Sequence, residues 1–151
     1  MTRPFVRWLR RQYPFPVRVP VYLSPAPQVV TVHGDRCSAS FFAPSDRNVE
    51  PHIRVATGEF PSLRRRWGRN RAAVSHLISL AHEVLHYEQW VRGEHLSERG
   101  IAQKASAVVG RYLCGPQPNP RLERTGAEPA QHGRSARAAG RSTAGRLANQ
   151  R

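Results

Sequence analysis

The stretch Leu80-Ala81-His82-Glu83-Val84-Leu85-His86-Tyr87 decides how the rest of the chain is read. It carries His-Glu-x-x-His inside a run with helical spacing, in which Ala73, Val74, Leu77, Ile78 and Ala81 recur at threes and fours. Residues four apart on an α-helix lie about 40° apart round the axis and about 6 Å along it. His82 and His86 can therefore turn their rings towards one point, with Glu83 beside them. Leu80, Val84 and Leu85 carry the apolar character most of the way round, which predicts an interior helix. Unpaired polar groups are costly there, and one cation satisfies all three. Two imidazoles holding Zn²⁺, with a neighbouring carboxylate as general base, is the chemistry that uses this spacing. On a surface helix the same five residues arise by chance; the interior setting favours the metal.

Downstream, Asn70 is a candidate N-cap for this helix, which runs to Arg92 and stops at Gly93. Glu94 to Leu96 reads as a short turn and Ser97 as the cap of a second helix. Ile101, Ala102, Ala105, Val108 or Val109, and Tyr112 mark its buried face. Counting back from Ile101 and Ala102 sets Glu98 on that apolar stripe. A carboxylate there needs a cation or several donors, and a zinc held by two histidines lacks a third protein ligand. The other reading of Glu98 is a first-turn acid that complements the helix N-terminus. A short turn makes the helices an antiparallel pair, with Glu98 facing His86. His95 is a further candidate ligand; Glu88 and Glu94 are poorly directed.

Upstream, Phe5, Trp8 and Leu9 share one face of a predicted helix over residues 1–13, and Arg3, Arg7, Arg10 and Arg11 take the other. It reads as a cap on the core, or as a basic arm. Val21–Leu23, Val29–Val32, Ser38–Phe42 and Ile53–Thr57 read as short strands, with a hairpin turn at His33–Arg36. They predict a small antiparallel sheet. His52 to Phe60 is the candidate edge strand for aligning a substrate, or else an ordinary core strand. Pro61 to Asn70 reads as a basic connector. Arg64, Arg65, Arg66, Arg69 and Arg71 around Trp67 are either a solvated lead-in to the helix or a phosphate-binding surface with a stacking aromatic. Gly115 to Arg151 loses aromatics and periodicity and is expected to be disordered. The fold class is therefore α+β, with one domain over 1–114 and a tail over 115–151.

The formal net charge of +14 comes from 24 Lys+Arg against 10 Asp+Glu, and Lys104 is the only lysine. That balance favours non-specific attraction to polyanions and says nothing of fold. Cys37 and Cys114 form no CxxC pair, and no disulfide framework is indicated. No apolar run approaches the roughly 20 residues of a membrane helix. Prolines and arginines interrupt any signal-peptide core. A cytoplasmic protein with no membrane partner is expected.

His82-Glu83-Val84-Leu85-His86 followed by Glu98 resembles the gluzincin pattern of zinc metallopeptidases. The runs His86-Tyr87-Glu88-Gln89-Trp90 and Ser97-Glu98-Arg99 also resemble small bacterial and phage-associated proteins of minimal gluzincin type. The resemblance covers about residues 70–113. It implies a zincin-like helix pair, His82, His86 and Glu98 as zinc ligands, Glu83 as general base, and a peptide or protein substrate. The metzincin pattern is not met, because Gln89 stands where a glycine is wanted and Arg92 where a third histidine is wanted. Tyr87, Tyr112, His52, His76 and His95 are candidate oxyanion donors. The alternative function is a basic nucleic-acid-binding accessory protein whose metal is structural.

Overall fold

Helix α1 (Thr2–Gln12) buries Phe5 and Leu9 completely, as its amphipathic spacing predicts. This computed structural model describes residues 2–115. The Phe5 ring stacks on Trp8 and meets Tyr112, near the other end of the described chain, at 4.9 Å between centroids. The helix is thus a cap on the core. After it, a proline-rich stretch that bends at Tyr13, Pro16 and Val17 leads to the sheet. The Tyr87 hydroxyl pins that segment, donating to the Val17 carbonyl at 2.6 Å and accepting the Val17 N–H at 3.2 Å.

Five short strands follow: β1 (Val21–Ser24), β2 (Val29–Val30), β3 (Arg36–Cys37), β4 (Ala39–Phe42) and β5 (His52–Ala56). β2 and β3 form a hairpin closed by Gly34 at φ 89°. The main sheet has the order β1-β5-β4. β5 pairs antiparallel with β4 but parallel with β1, so the sheet is mixed, not antiparallel as expected. The expectation took strands adjacent in sequence as hairpin partners, whereas residues 25–51 carry the chain across before β5 returns beside β1. Gly58 closes that junction. Its N–H donates to the Ala26 carbonyl at 2.9 Å, and a Cβ there would collide with the Pro25 carbonyl oxygen. The candidate edge over residues 52–60 is corrected too. β5 is the central strand, with Ile53 and Val55 buried, and β1 and β4 are the edges.

The basic connector is itself mostly helical: α2 spans Phe60–Trp67, with Pro61 in its first turn. It buries no side chain fully; its apolar face of Phe60, Leu63 and Trp67 is short, and Pro61 within it reads as a helix breaker. Gly68, at φ 81°, separates it from α3 (Arg69–Arg92). Asn70 therefore lies inside the first turn of α3 and is not its cap. α3 is buried on several faces, through Leu77, Leu80, Ala81, Val84 and Tyr87, and ends at Gly93 with φ 72°. The next helix, α4 (Ile101–Cys114), begins later than its predicted cap at Ser97. Gly100, left-handed at φ 74°, interrupts the run. α4 packs on α3 through Ile101, Ala105, Val108 and Val109. No helix among the described residues is long and apolar enough to cross a membrane. The expected disordered tail falls almost wholly on residues 116–151, outside the described residues.

Candidate metal centre

One turn of α3 sets His82 above His86, and their Nε2 atoms lie 3.0 Å apart. The Glu98 carboxylate meets both, with Oε1 3.0 Å from His86 Nε2 and Oε2 3.1 Å from His82 Nε2. These are the three ligand candidates of the sequence, brought together within 4.8 Å. The route of Glu98 differs from the expected one. It belongs to the loop between α3 and α4, not to an apolar helix stripe, and its side chain is 76 % exposed. The stripe was extrapolated backwards past Gly100, where the helix does not exist.

That loop is held by a side chain of α3. Gln89 Oε1 accepts the Ser97 N–H at 3.2 Å, and Gln89 Nε2 donates to the Ser97 carbonyl at 3.3 Å. The pair of bonds fixes which end of the amide is oxygen. The same Oε1 lies 3.0 Å from His86 Nδ1, which must therefore be the donor. In its neutral form His86 then carries a lone pair on Nε2, aimed at a second imidazole nitrogen and a carboxylate. His86 Nε2 and the Glu98 carboxylate are acceptors, and either a proton on His82 Nε2 or a cation satisfies them. A tetrahedral Zn²⁺ at its usual bond lengths separates ligand atoms by about 3.3 Å, so these side chains fit it with small adjustment. A bound Zn²⁺ would be held by His82, His86 and Glu98.

Glu83 is 8 % exposed, and its carboxylate accepts the backbone N–H of Phe41 in β4. Burial pushes its pKa up to about 7, against the opposing pull of His86. Burial also holds His82 below its ordinary value, with Glu98 working the other way. A cavity of about 460 Å³ opens over these groups. One wall is β4 with the preceding Cys37 and Ser38; the other is Ile78, Ser79 and the histidines of α3. Burial, then the nearby Glu83, raises the Cys37 thiol.

The remaining candidates lie elsewhere. Glu88 and Glu94 both pair with Arg92, at 3.4 and 3.6 Å, and His95 is not in the cluster. None of the five candidate oxyanion donors lines the cavity. Tyr87 is committed to Val17, Tyr112 packs against Phe5 and Trp8, His52 stacks on Phe42, and His76 donates to the Ala72 carbonyl. The sequence reading passed over Gln89, noticed only as a missing glycine, although three residues beyond His86 on one helix face is a readable signal. It also passed over β4, whose backbone contribution leaves no mark in side-chain identity. No protein-family model matches the chain, and neither the curated proteins nor the solved structures contain a significant match to it.

Proposed function

We propose that the chain is a zinc-dependent metallopeptidase in which His82, His86 and Glu98 hold the ion and Glu83 is the general base. The observation that carries this reading is the buried Glu83 carboxyl, poised near neutrality in a cavity that it shares with all three ligand candidates. When bound, Zn²⁺ supplies a Lewis acid that brings the pKa of water to about 7 and polarises a carbonyl.

The chain's own residues do the rest. Glu83 takes a proton from the attacking water at its carboxylate and returns it to the leaving amine. The Phe41 N–H and the α3 backbone keep that carboxylate facing the cavity. His86 is buried and Glu98 exposed, so the cluster is open to solvent on the Glu98 side, where water and substrate approach. The edge strand β4 offers a template for an extended peptide. The Ala56 N–H bonds the Ser38 carbonyl at 2.8 Å, and in the register that follows Ala39 and Phe41 turn main-chain groups away from β5; their N–H groups go to Cys37 and Glu83, which leaves the carbonyls for a substrate. An incoming strand can donate to those carbonyls.

A purely structural metal is the weaker reading. A structural site needs no base, and a lone buried carboxyl beside it is costly. The test is Glu83→Gln. Zinc content stays at the wild-type level and hydrolysis of an unfolded protein substrate falls by about 100-fold or more. Full activity in that variant contradicts the base role.

A further inference from the structure

Five arginines, Arg64, Arg65, Arg66, Arg69 and Arg71, are exposed around the elbow between α2 and α3. From Phe60 to His82 the chain has no acidic residue. None of the five makes an ion pair among the described residues. Arg65 bonds the Ser62 hydroxyl at 3.2 Å, and Arg66 lies over the Trp67 ring. Helix energetics account for part of the cluster, since Arg64, Arg65 and Arg66 stand in the last turn of α2, where the dipole favours cations. They do not account for Arg69 and Arg71, which stand in the first turn of α3 where cations are disfavoured, with no acid beside them. Charge is therefore concentrated against both self-repulsion and the local dipole. In the middle of it Trp67 is 43 % exposed, on a helix that buries no side chain fully.

We propose that this elbow binds single-stranded nucleic acid, with Trp67 stacking on a base and the arginines contacting the flanking phosphates. The charge alone fits any polyanion. The exposed indole ring set among guanidinium groups favours unstacked bases, which supply both a π-face and a phosphate row. A duplex hides its base faces, and an acidic polypeptide has none. The elbow lies about 20 Å along α3 from His82, by helix rise, so binding there leaves the cavity open. The inference is independent of the metal reading, because it uses none of the residues of that site.

The experiment uses the full chain and a (dT)15 oligonucleotide, read by tryptophan fluorescence and by polarisation across a salt series. Trp90 is buried and Trp8 is half-buried against Phe5 and Tyr112, so quenching that disappears in Trp67→Leu reports the elbow, and quenching that persists reports Trp8. Wild type is quenched saturably. Trp67→Leu loses the quenching and binds about tenfold more weakly. Arg64, Arg65 and Arg66 changed together to Gln make the log–log salt slope shallower by about 2. All four positions are exposed, and unchanged circular dichroism and zinc content check that fold and metal site are intact. Binding by both variants equal to wild type assigns the affinity to other arginines and overturns the proposal. So does a 15-base-pair duplex or polyglutamate that quenches Trp67 at least as well as (dT)15 at equal ionic strength.

Discussion

Gln89 Oε1 lies 3.0 Å from His86 Nδ1 while the same amide brackets the Ser97 backbone. One side chain thus orients an imidazole on α3 and anchors the loop that brings Glu98 to it. Partners of this kind set both the tautomer and the direction of a ligand. Gln89→Leu should weaken zinc binding by about 10- to 100-fold, measured by competition with a chromogenic chelator. Gln89→Asn, too short to reach both groups, should behave similarly. Unchanged affinity in both would mean that the loop is held without Gln89.

Glu83 makes the stability of the metal-free protein depend on pH with a defined sign. Its pKa is about 7 when folded, against an ordinary 4.5. Between those values the folded state binds more protons than the unfolded one, so stability falls as pH rises. The contribution is complete below about pH 4.5 and is lost through about pH 7, to an extent on the order of 3 kcal/mol. After chelation, the urea midpoint of wild type should drop between pH 5 and pH 8 relative to that of Glu83→Gln. Parallel curves would contradict this. In hydrolysis the base must be ionised, and a bound cation draws the carboxyl downward, so the rising limb should fall at or below pH 7.

Tyr87 sits beside His86 in sequence yet serves the fold. It is wholly buried, with both hydroxyl bonds spent on Val17. Tyr87→Phe strands a backbone donor and a backbone acceptor, at a cost of about 1–3 kcal/mol. A denaturant midpoint should register the loss while zinc content stays unchanged. A loss of hydrolysis per folded, zinc-loaded chain would instead return Tyr87 to the reacting groups.

The parts legible in the sequence were those written in side-chain periodicity. The interior helix α3, its stop at Gly93, the capping helix α1 and the convergence of His82 and His86 follow from spacing. What was not legible depends on the backbone or on long-range pairing. α2 sets Phe60, Leu63 and Trp67 on one face, but it spans eight residues and Pro61 near its start reads as a breaker rather than a first-turn residue. The parallel pairing of β1 with β5 spans a crossover that no local pattern encodes. Glu98 meets His82 and His86 from a loop and not from a helix stripe, because Gly100 at φ 74° starts α4 later than the periodicity suggests. The contribution of β4 is an N–H from Phe41, a group every residue but proline carries.

The convergence of two imidazoles and a loop carboxylate on one cation is best tested by elemental analysis of protein reconstituted with zinc and then desalted. Wild type should retain one zinc per chain, His82→Ala close to none, and Glu98→Ala markedly less than wild type. Equal zinc in wild type and His82→Ala, or none in wild type, would contradict the account.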